Sequence, residues 1–208
     1  MKGSQFEDIF RKHAGMAYGL ALGVAGGPSA AEDAVQEAFM YLWRTGAGSR
    51  AVDVRAYLAS AVISTARDSR RGEARRRTRE EAVLADSPAA EAPADAAESA
   101  EQRSAVRAAL LGLAEERRLP VLLHVVQDFS QREVARILDL PVSTVSHRIN
   151  EGLDELRSAL GRAGFAGLTG GALDAALQAG WQVPVPAGLA ARIEAIAAPP
   201  PVAGGAVG

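Results

Sequence analysis

The sequence predicts an all-α protein: two small helical domains joined by a flexible linker, with a short helical C-terminal extension. Three observations lead there. Apolar residues recur at helical spacing through most of the 208 residues, and no stretch between turn signals sustains the alternation of Val, Ile, Thr and aromatics that a strand requires. Composition is 48% apolar but only 5% aromatic, which suits small cores rich in Ala and Leu. Gly and Pro cluster outside the periodic segments, where they act as punctuation. The length allows one or two domains.

Phe6 to Leu22 carries Phe6, Ile9, Phe10, Ala14, Ala17 and Leu20 on one face, and the run Gly23 to Pro28 then predicts a turn. Ser29 and Glu32 have the S-x-x-E spacing of a capping box and predict the start of a second helix. Val35, Ala38, Phe39, Leu42 and Trp43 fall on one side of it, and Glu32, Asp33, Gln36 and Glu37 on the other, leaving an acidic face for a partner. Thr45 to Val54 contains two glycines and reads as a loop. Arg55 to Arg71 resumes helical periodicity with Tyr57, Leu58, Ala61, Val62 and Thr65.

The formal net charge of -2 hides a steep asymmetry. Arg67, Arg70, Arg71, Arg75, Arg76, Arg77 and Arg79 form a basic run that a polyanion would attract through phosphate contacts and counterion release. A solvated helix end is the plain alternative, and the density of the run favours nucleic acid. From Glu80 to Gln102 there is no basic residue, and DSPAAEAPADAAESAE is too poor in large apolar side chains to fold alone. We therefore expect residues 1–79 to form one domain, 80–103 an acidic flexible linker and 104–163 a second domain. Residues 164–208 follow as a tail.

In the second domain Val106, Leu110 and Leu113 predict a helix, and Pro120 suits the first turn of another at VLLHVV. His124 in that apolar run reads as a packing histidine. Ser130 opens a further S-x-x-E box with Glu133. Val134, Ile137 and Leu138 then share a face, Asp139 to Pro141 break the run, and Val145, Ile149, Leu153 and Leu156 resume it. Two short helices around a tight turn make a helix-turn-helix, whose second helix enters a DNA groove. Its exposed stripe carries Ser143, Thr144, Ser146, His147, Arg148, Asn150 and Glu151, short hydrogen-bonding side chains able to reach base edges or phosphates.

Several classes of function lose support. Without cysteine there are no disulfides, thiolate metal sites or cysteine nucleophiles, which fits a reducing, cytoplasmic setting. His13, His124 and His147 lie far apart with no supporting motif, so neither a catalytic constellation nor a metal or other cofactor is expected. The N-terminus MKGSQFEDIFRKH is amphipathic and charged rather than a signal peptide, and no apolar run is long enough to insert in a membrane.

Read together, the two halves resemble a bacterial RNA polymerase sigma factor of the sigma-70 family, in its two-domain extracytoplasmic-function group. AAEDAVQEAFMYLWR at 30–44 and RAYLASAVISTARDSRR at 55–71 are similar to region 2, and LAEERRLPVLLHVVQDFSQREVARILDLPVSTVSHRI at 113–149 to region 4. The resemblance implies that the chain binds core RNA polymerase and directs promoter recognition, strand opening and transcription initiation, without chemistry of its own. Core binding would fall to Asp33, Gln36, Glu37 and Phe39. Capture of the minus-ten element would fall to Tyr57, Ser64, Arg67, Arg70 and Arg71, and reading of the minus-thirty-five element to Ser143, Thr144, Ser146, His147, Arg148, Asn150 and Glu151. An anti-sigma factor is a further partner the resemblance implies.

Three positions depart from the family pattern: Ser146 and Glu151 stand where basic residues are usual, and Ser64 where asparagine is frequent. A carboxylate is repelled by phosphates but accepts a hydrogen bond from cytosine, so weak or unusual DNA preference is expected. A repressor or activator using only the helix-turn-helix would instead bind duplex DNA without polymerase, and a sequestering module would bind polymerase without initiating. In the tail, Leu168, Leu173, Leu177 and Trp181 form one apolar face and Leu189, Ile193 and Ile196 another, joined by the stiff VPVP at 183–186. Two short helices packed on the second domain are expected there.

Overall fold

The computed structural model describes residues 3–47, 53–77 and 94–197, with side chains omitted at 71–77, 94–99 and 197. Every regular element among the described residues is a helix, and none is a strand. α1 (Gly3–Ala25), α2 (Pro28–Thr45) and α3 (Val54–Arg77) pack against one another as the first bundle. Phe6, Phe10, Leu20, Phe39, Leu42, Leu58 and Val62 fill its core. Phe39 meets the ring of Phe6 edge-on at 6.0 Å and that of Phe10 at 5.3 Å, and Trp43 closes on Phe6 at 5.2 Å. Such edge-to-face pairs add to the burial of the rings themselves.

The second bundle holds α4 (Ala94–Gly112), α5 (Glu115–Val121), α6 (Gln131–Leu138) and α7 (Val142–Arg162). α5 runs directly into a π-helical turn over Leu122–Val126. Leu110, Leu119, Leu122, Leu123, Phe129 and Leu156 are fully or almost fully buried between these elements. Gly152 of α7 faces α5 so closely that a Cβ there would stand 2.8 Å from Val121 Cγ2. His124 Nδ1 lies 2.7 Å from the Phe129 carbonyl oxygen, so the ring donates there and acts as a packing histidine, as expected.

Boundaries differ from the sequence reading in α1, α2, α4 and α5 for identifiable physical reasons. α1 continues through Gly23 to Ala25, because Gly23 is covered by Leu122 and has no side chain to obstruct it. α2 begins at Pro28, whose fixed φ suits the first helical position, so Gly27 is the cap and Ser29 is already inside the helix. The Ser29 capping box therefore does not form. α4 begins at Ala94, inside the stretch read as linker, since Ala and Glu have high helix propensity and Pro93 ends just before it. α5 begins at Glu115 and takes Pro120 into its interior, where the missing amide removes one rung shortly before the turn widens to π. Residues 80–93 of the expected linker lie outside the described residues.

The tail forms α8 (Gly171–Gly180) and α9 (Ala187–Ala197). α8 packs on α4 and the π-helical turn, as expected of a tail on the second domain. α9 does not. It lies on α2 and α1 of the first bundle, with Leu189 and Ile193 fully buried, because the VPVP segment carries the chain across instead of back. The two bundles also touch directly, through α1 with α5 and α3 with α6.

Candidate polymerase and nucleic-acid surfaces

α2 is amphipathic as its sequence demands, and its outward side is acidic. Asp33 and Glu37 are exposed, and Gln36 is half-buried on the same side. Phe39 corrects the sequence reading: it is wholly buried in the ring cluster and offers no surface to a partner. Tyr41, which the sequence reading passed over, is 57% exposed one turn beyond Glu37. An aromatic recurring on the polar face, four residues after an acid, was the available signal.

The end of α2 and the start of α3 bring together Tyr41, Thr45 and Tyr57. Thr45 Oγ1 donates to the Tyr41 carbonyl at 2.8 Å. Burial, and then the neighbouring Tyr41, push the half-buried Tyr57 hydroxyl above its ordinary pKa, against a hydrogen bond with Thr45. Two tyrosines here flank the loop expected at Thr45 to Val54, of which 48–52 lie outside the described residues. Asp53 caps α3, accepting the Ala56 amide on Oδ1 at 3.0 Å.

Further along α3, Ser64 is exposed and faces a cleft shared with Ile137, Leu138 and Asp139 of α6 and its turn. Arg67 and Arg70 both reach across to Glu115 of the second bundle. Arg67 Nε donates to Oε1 at 2.8 Å, and Arg70 Nη1 lies 2.6 Å from Oε2. Burial alone would raise the Glu115 carboxyl, but the Arg67 hydrogen bond and the charges of Arg70 and Arg67 outweigh it and hold the group below the usual carboxylate range. At the start of α3, the Arg55 guanidinium stands 3.9 Å over the ring of Phe129 of the second bundle. The side chains of Arg71, Arg75, Arg76, Arg77 and Arg79 lie outside the described residues.

The helix-turn-helix is built as its sequence reads. Ser130 accepts the Glu133 amide on Oγ at 3.3 Å, and Glu133 Oε2 accepts the Ser130 amide at 2.8 Å, completing the capping box. Hydrogen bonds from the Ser130 hydroxyl and amide hold the Glu133 carboxyl below its ordinary pKa. Asp139 takes a left-handed conformation at φ 53°, Pro141 precedes α7, and Val145, Ile149 and Leu156 anchor that helix in the core. Ser143, His147, Asn150 and Glu151 are exposed along α7, with Thr144, Ser146 and Arg148 half-buried beside them. His147 Nε2 lies 3.3 Å from Glu151 Oε1, so the unusual carboxylate already has a neighbour on its own helix.

Residues 9–76, which span α1 to α3, match the family Sigma-70 region 2, and residues 103–156 match Sigma-70, region 4. The chain belongs to the sigma-70 family. The two regions in this order give it the make-up of an extracytoplasmic-function sigma factor. As a sigma factor it directs promoter-specific transcription initiation, its regions binding core RNA polymerase and promoter DNA. Its fold is similar to that of the sigma factor RpoE of Bartonella quintana, solved in complex with the anti-sigma factor NepR. The TM-score is 0.61 at 19% identity, over 75% of this chain and 96% of that one. No curated protein sequence gives a significant match. Members of the family are non-enzymatic regulators. No helix among the described residues of this sigma factor is long and apolar enough to cross a membrane.

Proposed function

We propose that this sigma factor works in the cytoplasm, without catalytic chemistry, and divides its task among three surfaces. Asp33, Gln36 and Glu37 on α2 meet a basic helix of core polymerase, where exposed carboxylates give charge complementarity. Tyr57 and Ser64, with Tyr41 beside them, take up unstacked bases of the minus-ten element, and Arg67 and Arg70 hold its phosphates. Ser143, Thr144, Ser146, His147, Arg148, Asn150 and Glu151 on α7 read the minus-thirty-five element. Arg71 belongs with the phosphate-holding arginines by its place in the sequence. Phe39 supports the α2 surface from inside and takes no part in it. The observation that carries the reading is an intact, exposed α7 face in the same chain as a region 2 whose α2 presents free carboxylates.

Geometry adds a requirement. The two promoter elements are named for positions about 25 base pairs apart, on the order of 85 Å at 3.4 Å per step. A compact chain of 208 residues has a radius of gyration of only about 17 Å. With α3 packed on α6, Ser64 lines a cleft shared with α6, and Arg67 and Arg70 are paired with Glu115 of region 4. The regions must separate before one chain contacts both elements. The conformation described is thus a closed, unbound form, and an anti-sigma factor is a partner able to act on such a form.

Gel filtration with core polymerase followed by mapping of transcript starts on genomic fragments tests this directly. Co-elution with new, discrete starts is expected. Co-elution without initiation would make the chain a sequestering module, and failure to co-elute would remove α2 from the polymerase interface.

A further inference from the structure

The segment after α7 lies outside both matched regions, yet it holds both. α8 is fixed to region 4. A Cβ on Gly180 would stand 2.5 Å from Val106 Cγ1, so α4 and α8 touch there as closely as backbone allows. Gln178 Nε2 donates to the Val125 carbonyl at 3.0 Å. Trp181, which follows Gly180, is buried against region 2: its indole N–H donates to the Gly19 carbonyl of α1 at 3.2 Å. A Cβ on Gly19 would lie 3.2 Å from that same nitrogen, so the absence of a side chain is what lets the ring seat.

Beyond the joint, the V-P-V-P segment is stiff and extended by composition. It delivers α9 to α2, where Leu189 and Ile193 are fully buried and Arg192 Nη2 pairs with Glu32 Oε2 at 2.6 Å. Glu32 lies beside Asp33 and one turn before Gln36, so α9 occupies one edge of the acidic face. Its arginine stands where a basic partner would place its own charge. An isolated helix of 11 residues is marginal in water, so α9 is helical because it is docked and loses its helix once displaced.

We propose that residues 164–197 are a strap acting in cis: Trp181 pins region 4 to region 2, and α9 covers an edge of the polymerase-facing helix until core polymerase displaces it. This rests on the reading of α2 given above. The strap and the Glu115 clamp on Arg67 and Arg70 close the same two regions, so release of α9 also favours exposure of the minus-ten arginines.

The chain has no cysteine, so Glu32→Cys with Arg192→Cys places two unique thiols across the α2–α9 contact. A bis-maleimide with a disulfide in its spacer locks the strap, and reduction frees it in the same full-length protein. Binding to core polymerase should be weaker in the locked form by about tenfold or more and recover on reduction. Ile193→Asp, which puts a carboxylate in the α9–α2 contact while leaving every residue of region 2 unchanged, should speed association several-fold with helicity elsewhere retained. Equal binding of locked and released protein, with Ile193→Asp no faster, overturns the strap while leaving the polymerase reading intact. Failure of the unmodified and released chains alike to bind core overturns the reading of α2 and the strap with it.

Discussion

Phe39 and Glu37 lie two positions apart on α2 and do unrelated work. Glu37 is solvated; Phe39 is at 0% exposure among Phe6, Phe10 and their neighbours. Phe39→Ala should therefore lower the unfolding free energy by about 3–5 kcal/mol, read by urea denaturation. Glu37→Lys should change stability by no more than about 0.5 kcal/mol and instead weaken the complex with core polymerase. The sequence placed both residues on a helix with an apolar and an acidic face. Assigning Phe39 to the partner surface followed from the family resemblance, and its own periodicity with Val35 and Leu42 pointed inward. The partners of Glu115 and Trp181 could not have been picked out, since each contact is with a distant segment.

The two S-x-x-E boxes show how an element's start depends on one neighbour. Ser130 has Phe129 before it and Gln131 after it, and its box closes with both reciprocal hydrogen bonds. Ser29 follows Pro28, which begins the helix a residue early and leaves Glu32 available to Arg192. Ser130→Ala should cost about 1 kcal/mol and Ser29→Ala no more than about 0.5 kcal/mol, a contrast that thermal denaturation of the two variants resolves. Helix existence was legible for every described element, including the two tail helices with apolar faces read at Leu168, Leu173, Leu177 and Trp181 and at Leu189, Ile193 and Ile196, although Leu168 precedes α8. Boundaries were less so where Ala-rich composition reads equally as linker or helix, as at Ala94, or where a proline is carried inside a helix, as at Pro120.

At the scale of the whole molecule, the all-α class and the order of the two regions were readable, because both follow from local periodicity and motif spacing. How the regions meet was not. Arg67 and Glu115 are 48 residues apart, and Trp181 and Gly19 are 162 apart, so nothing local in either partner announces the other. The Glu115 clamp makes the closed form sensitive to acid. Its carboxyl is held below the ordinary 4.5 when paired with Arg67 and Arg70, so the closed form binds fewer protons than the open one as pH falls past that value. The stabilisation is complete above the ordinary carboxylate range and is lost as pH falls through the depressed value. Small-angle scattering should show a radius of gyration constant between about pH 6 and 8 and increasing in acid. In Glu115→Gln that acid-dependent step should be reduced.

The central claim is that this sigma factor is closed when free and opens on polymerase. The most direct measurement is Förster transfer between dyes on Ser4→Cys of α1 in the first bundle and Ser158→Cys of α7 in the second, both exposed positions in a chain without other thiols. High transfer in the free protein, falling when core polymerase and promoter DNA are added and initiation begins, is the predicted result. Transfer that stays high throughout productive initiation, or is already low in the free chain, would contradict it.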